Sequence, residues 1–224
     1  MNQVLEQILG RLIVSCQALP EEPLHSSFIM GRMALAAKEG GAAGIRAQSV
    51  SDISEIMKVC DLPVIGIIKR KYEDSEIYIT PTKKEIEELL TTPCQIIALD
   101  ATKRDRPNGE KTKDLVDLIH QNGRLAMADC SVFEECLEAQ DIGFDIVSTT
   151  LCGYTQYSES YEGPNLPLLR RCAQELSAVV IAEGKINTPA DLQEVFKCGV
   201  FSAVVGGAIT RPQLITRKFA DAIK

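Results

Sequence analysis

The sequence has no CxxC pair among its eight cysteines and only two histidines, His25 and His120. Zinc sites need clustered thiols or imidazoles, and disulfide frameworks need paired spacings, so no metal and no disulfide scaffold is expected. No apolar stretch is long enough to cross a bilayer, and the N-terminus lacks a basic start, an apolar run and a small-residue cleavage site. A cytoplasmic protein with reduced thiols is the expectation. Positive charge is also short: the net charge of −7 argues against a nucleic-acid or anionic-membrane surface. A phosphorylated small molecule stays open, because a few well-placed donors can hold one phosphate.

What is present is ordinary for a globule, 45% hydrophobic and 25% charged. The length of 224 residues suits one large α/β domain over 1–224 at least as well as two small ones. Residues 1–10 read as a short amphipathic helix stopped by Gly10. LIVSCQA then reads as a buried strand ending in Gln17, and LPEEPLHSS as a loop with an N-cap in Ser26 or Ser27. Residues 28–38 read as a helix closed by Gly40 and Gly41.

This strand, loop, helix and glycine pattern repeats. AAGIRAQ, PVIGIIK, CQIIALDA, RLAMADC, DIVSTT, AVVIAEG and FSAVVGG are seven further apolar runs, each tipped by polar or small residues. Such near-continuous runs suit strands buried on both faces, as in a parallel sheet. Helices are expected between them, including one capped by Ser51 and running to Cys60, others over 83–90 and 110–120, and a last one from Pro212 to the C-terminus. Eight strands alternating with eight helices predict a (β/α)₈ TIM barrel with a short N-terminal helix. The alternative, a doubly wound open sheet, would want a GxGxxG turn after its first strand, and LPEEPLHSS is no phosphate cradle.

In such a barrel the site lies at the C-terminal strand ends. The polar residues there are Gln17, Arg46, Lys69, Asp100, Asp129, Thr150 and Glu183. Gln17, Lys69, Asp129 and Glu183 all come from odd-numbered strands and are expected to share one ring, with Lys69 and Glu183 half the barrel apart. Gly184 after the seventh strand, and Gly206, Gly207 and Arg211 after the eighth, are placed to hold a phosphate through backbone N–H groups and a guanidinium fork. Desolvation and the nearby Arg46 favour a neutral Lys69, suited to proton abstraction or Schiff-base formation, whereas Asp129 and Glu183 favour its charged form. Asp100 can pair simply with Arg104 or Arg106. The loops of Tyr78 and Tyr154 could form a lid.

Together the segments IVSCQALPEEPLHSSFIM, GIRAQ, PVIGIIKR, IYITPT, ALDAT, MADCS, STTLCGYT, AEGKINTP and VVGGAITRP resemble the N-acylmannosamine-6-phosphate 2-epimerases of bacterial sialic acid catabolism. The resemblance covers the chain from about Leu12 to the last helix. It implies a (β/α)₈ barrel without a cofactor that interconverts N-acetylmannosamine 6-phosphate and N-acetylglucosamine 6-phosphate at C2. It implies Lys69 and Glu183 as catalytic residues, and Gln17, Arg46 and Asp129 as sugar-binding ones, to which Thr150 and Tyr154 are added from their positions. Gly184, Gly206, Gly207 and Arg211 would form the phosphate site. Lys69 is then the expected base at C2, with Glu183 either returning the proton in a two-base scheme or orienting the lysine in a one-base scheme. Asp129 would assist ring opening or grip a hydroxyl. A Schiff-base aldolase and a non-catalytic sugar-phosphate sensor are the rival readings. The expected partner is a small phosphosugar, with a homodimer kept open as the assembly and no nucleic acid or membrane.

Overall fold

A computed structural model describes residues 2–223 of the protein. Met1, where the first helix was expected to begin, and Lys224, where the last was expected to end, lie outside the described residues. The eight apolar runs form eight strands: β1 (Leu12–Cys16), β2 (Gly44–Gln48), β3 (Val64–Ile67), β4 (Ile96–Asp100), β5 (Leu125–Asp129), β6 (Ile146–Ser148), β7 (Val179–Glu183) and β8 (Ser202–Val205). They pair in chain order, all parallel, and β8 closes on β1 through Leu12–Ala203, Ile13–Val204 and Val14–Val205. Closure leaves no sheet edge unpaired. The result is the expected TIM barrel.

Alternation along each strand divides the apolar residues between two cores. Inward-facing Ile13, Ile65, Ile67, Ile96, Ala98, Met127, Ile146, Ile181 and Val204 fill the barrel. Helix α1 (Gln3–Ile8), capped by the Asn2 side chain on the Val4 N–H at 2.9 Å, adds Leu5 and Ile8 to this interior cluster and plugs its N-terminal end. Outward-facing Val14, Ile45, Ala47, Val64, Ile97, Leu99, Ala128, Val147 and Ala182 pack under the surrounding helices. Burying each large aliphatic side chain contributes about 1.5–3 kcal/mol, so this double core anchors the strand ends on which the site is built.

The surrounding helices are α2 (Ser27–Glu39), α3 (Val50–Val59), α4 (Lys83–Leu90), α5 (Thr112–Gln121), α6 (Phe133–Ile142), α7 (Leu166–Glu175), α8 (Pro189–Lys197), α9 (Gly207–Thr210) and α10 (Pro212–Asp221). Three boundaries differ from expectation. The cap of α3 is Ser49, not Ser51: its hydroxyl accepts from the Asp52 N–H at 3.1 Å, and its backbone takes φ 68°. Helix α5 starts at Thr112, not Glu110, because residues 107–109 form a 3₁₀ turn and the Glu110 carboxylate accepts from the Lys83 N–H at 2.7 Å. The glycine-rich segment after β8 itself winds into the short α9 before Pro212 opens α10.

The eight cysteines are all free and buried. No helix among the described residues is long and apolar enough to cross a membrane.

Candidate active site

A cavity of about 410 Å³ opens at the C-terminal end of the barrel. Gln17, Arg46, Lys69, Thr150, Tyr154, Glu183, Gly184, Gly206, Gly207 and Arg211 all line it. Each is placed by its strand: Gln17 directly follows β1, Arg46 lies within β2, Lys69 follows β3 by two residues, Glu183 ends β7 and Gly206 follows β8.

At the centre is Arg46, 1% exposed. Nη1 donates to Asp129 Oδ1 at 3.0 Å and to Glu183 Oε2 at 2.9 Å, while Nη2 donates to Asp129 Oδ2 at 2.6 Å. Of the four odd-strand residues expected to share a ring, Asp129 and Glu183 are joined here, and the link runs through a residue of an even strand. Arg46 is level with Ser15 of β1 and Ile65 of β3, and its long side chain reaches the carboxylates of β5 and β7. Burial works against its charge, but the two carboxylates more than offset that and hold its pKa above the usual guanidinium range.

Asp129 does not line the cavity. It is 0% exposed, and besides Arg46 it lies 2.6 Å from the Thr150 hydroxyl. Both of its oxygens are engaged, Oδ1 by Arg46 and Thr150 and Oδ2 by Arg46, so it stands behind two residues that do line the cavity. Thr150 Oγ1 also lies 3.2 Å from Glu183 Oε2 and 2.9 Å from Ser148 Oγ, so it links the two carboxylates. The neighbouring Thr149 hydroxyl donates to the Glu183 carbonyl at 2.9 Å and secures the end of β7.

Glu183 keeps Oε1 without a partner among the described residues. Its pKa is pushed up to about 7, chiefly by burial, with Arg46 opposing and Asp129 reinforcing the rise. Lys69 makes no side-chain hydrogen bond or ion pair among the described residues. Its pKa is lowered to about 8, first by burial and then by the positive charges of Arg46 and Arg211, against the pull of Glu183 and Glu22. Both groups thus change protonation state close to neutrality, as acid–base catalysis requires. Gln17 donates one amide N–H to Ser15 Oγ at 2.9 Å and retains its other N–H and its carbonyl oxygen.

The loop after β3 returns over the barrel mouth. Arg70 N–H donates to the Tyr78 carbonyl at 2.9 Å, Thr80 N–H to the Ile68 carbonyl at 2.7 Å, and Asp100 N–H to the Ile79 carbonyl at 3.1 Å. This tie places Ile79 in the inner core and Tyr78 in the cavity wall. Tyr154 also lines the cavity but is 59% exposed, with Lys185 Nζ 5.7 Å from its ring centroid. Lys185 in turn donates to Ser160 Oγ and the Tyr161 carbonyl, both at 2.7 Å, joining the loops after β6 and β7.

On the glycine side, Gly184 takes φ 108°, a backbone form that side chains disfavour. Arg211 is not free: Nε donates to Glu22 Oε1 at 2.6 Å and Nη2 to Glu22 Oε2 at 3.0 Å. Glu22 lies in the LPEEPLHSS loop after β1, a segment that contributes to the family resemblance but that the sequence reading does not assign to the phosphate site. Asp100 lies outside the cavity wall, with Oδ2 paired to Arg104 at 2.6 Å and Oδ1 accepting from the Thr102 hydroxyl at 2.7 Å. Among the described residues no group of three or more His, Cys, Asp or Glu side chains could hold a metal ion.

A family model described as "NanE: Putative N-acetylmannosamine-6-phosphate epimerase" matches residues 30–224. A Clostridioides difficile (strain 630) protein named "Putative N-acetylmannosamine-6-phosphate 2-epimerase" is 64% identical over 221 residues, covering 99% of each chain. One from Shouchella clausii (strain KSM-K16) with the same name is 52% identical over 227 residues, covering 100% of both. Among solved structures, the N-acetylmannosamine-6-phosphate 2-epimerase from Clostridium perfringens has a TM-score of 0.97 and 62% identity, covering 99% of this chain and 96% of that one. The thiamine phosphate pyrophosphorylase from Pyrococcus furiosus, 17% identical with a TM-score of 0.62, shares the fold alone. The resemblance read from the strand-end motifs therefore holds across nearly the whole chain, and this protein belongs to the N-acetylmannosamine-6-phosphate epimerase family.

Proposed function

We propose that the protein interconverts N-acetylmannosamine 6-phosphate and N-acetylglucosamine 6-phosphate by removing the proton at C2 and returning it to the opposite face, without a cofactor. The observation that carries this reading is Lys69: a lysine in the cavity wall with no hydrogen-bond or ion-pair partner among the described residues, its pKa lowered to about 8 chiefly by burial. In the open-chain sugar C2 is α to an aldehyde, so its proton is acidic enough for a positioned amine once the enolate oxygen is stabilised. Neutral Lys69 accepts that proton. Gln17, with a free N–H, donates to the developing oxyanion, and the buried charge of Arg46 stabilises it through space. Glu183, with a free oxygen and a pKa of about 7, carries the second proton transfer from the far side of the cavity.

Arg46 is anchored by two carboxylates and cannot swing freely to the substrate. Asp129 accordingly acts beneath the sugar, fixing Arg46 and Thr150 rather than gripping a hydroxyl. Gly184, Gly206, Gly207 and Arg211 hold the phosphate, and that remote binding energy keeps C2 in place over Lys69.

Solvent deuterium tests the proposal. Wild-type protein in D₂O is expected to incorporate deuterium at C2 from either epimer, and Lys69→Ala to lose this exchange from the epimer whose C2 proton faces the lysine, while still binding the phosphosugar. Exchange retained from both epimers in Lys69→Ala would remove the lysine as base. The lowered lysine pKa also suits a Schiff base, so borohydride with substrate is the companion test: an adduct trapped on Lys69 would favour aldolase chemistry.

A further inference from the structure

The phosphate-side guanidinium meets a carboxylate that no strand-end pattern indicates. We propose that Glu22 is a positioning residue for phosphate binding, holding one edge of Arg211 so that the other faces the Gly206–Gly207 cradle. This rests on the reading of Arg211 as a phosphate ligand.

The geometry is that of a clamp. Glu22 takes the Nε and Nη2 edge of Arg211 at 2.6 and 3.0 Å. Nη1 has no protein partner among the described residues and lies 3.8 Å from where a Cβ on Gly207 would stand. The edge of the guanidinium left unengaged by Glu22, Nη1 with the outer N–H of Nη2, thus lies beside Gly207. Glu22 is itself fixed. Oε2 accepts from the Leu19 N–H at 2.8 Å and Oε1 from Gln213 Nε2 at 3.0 Å. Its backbone is tied on both sides, N–H to the Leu19 carbonyl at 2.9 Å and carbonyl to the His25 N–H at 3.0 Å. Four donors on two oxygens make a poor leaving anion: a phosphate that displaced Glu22 would strand the Leu19 N–H and Gln213 together. A phosphate that binds beside it meets an arginine whose rotamers are already restricted, which lowers the ordering cost of binding.

The test is steady-state kinetics on the full chain with N-acetylmannosamine 6-phosphate, alongside competition by inorganic phosphate. Glu22→Gln is expected to raise KM about tenfold and to weaken phosphate inhibition in parallel, with kcat within about twofold of wild type. Gln213→Leu, which removes one support of Glu22 without touching Arg211, is expected to raise KM in the same direction by a smaller factor. Arg211→Ala separates the two claims. If it leaves KM unchanged, the phosphate reading itself fails. If Arg211→Ala raises KM but Glu22→Gln leaves it unchanged or lowers it, the clamp is overturned, and a lowered KM marks Glu22 as a competitor of the phosphate. A loss in kcat as large as the rise in KM also overturns it, because Glu22 would then act on the reacting end of the sugar.

Discussion

The guanidinium of Arg46 and the carboxylate of Asp129 meet through two hydrogen bonds, at 3.0 and 2.6 Å, with side chains 1% and 0% exposed. The pair joins β2 to β5 across the barrel, and Glu183 of β7 shares Nη1 of the same arginine at 2.9 Å. A charge network this deep is costly to interrupt from one side, because the remaining charge stays buried.

Asp129→Ala is therefore expected to destabilise the protein toward the low end of about 3–5 kcal/mol, since Glu183 still compensates part of the Arg46 charge. Denaturant unfolding measures it. A midpoint equal to wild type would show that the pair contributes nothing to the fold.

Lys69→Met should abolish C2 exchange from the epimer whose proton faces the lysine, yet raise stability at pH 7. The folded-state pKa of Lys69, about 8, lies below its ordinary value of 10.5, with burial the main cause. Below pH 8 the lysine is protonated in both folded and unfolded chains, so the full penalty of a poorly solvated ammonium is present. The penalty is relieved as pH rises from 8 to 10.5, where the unfolded chain binds more protons. Replacing the charge by a thioether of similar length should add about 1–3 kcal/mol at pH 7 and progressively less above pH 8. A variant less stable than wild type at pH 7 would contradict this.

The pH profile of C2 exchange should show a rising limb near pH 8, as Lys69 loses its proton in the free enzyme. Because the Glu183 carboxylate raises the lysine pKa, Glu183→Gln should move that limb to lower pH, whatever rate remains. Nitrogen NMR of the Lys69 side chain gives the same titration where turnover is too slow to follow. A limb that stays in place or moves upward would assign it to another group.

Gly66 of β3 faces outward, and a Cβ there would lie 3.0 Å from Cys94 Sγ, 3.0 Å from Ile53 Cδ1 and 3.1 Å from Leu89 Cδ2. Helices α3 and α4 approach β3 this closely because position 66 has no side chain. Gly66→Ala should overpack the layer and cost about 1–3 kcal/mol, measurable by thermal unfolding. An unchanged midpoint would mean the two helices shift without penalty.

Much of this architecture is visible in the amino-acid string for a simple reason. Strands buried on both faces must be apolar throughout, so a polar residue at the end of such a run stands out, as Lys69 does after PVIGII and Glu183 after AVVIA. Boundaries such as Ser49 and Thr112 are less legible, because neighbouring serines and acidic residues offer equally good caps, and the Ser49 N–H on the Ile67 carbonyl and the Glu110 carboxylate on the Lys83 N–H decide between them. Asp129 stands out as a strand tip, but which way its carboxylate engages is set by Arg46, 83 residues away.

By itself, then, the sequence determined the barrel, the order of its strands and the set of polar tips at its mouth, since these follow from local burial and chain connectivity. Which charge meets which was decided only by closure of the barrel. Arg46 finds Asp129 and Glu183 at separations of 83 and 137 residues, and Arg211 finds Glu22 at 189. Hydrogen bonds and ion pairs act over a few ångströms in space, and the lengths of the side chains that bridge a closed barrel leave no periodic trace along the chain.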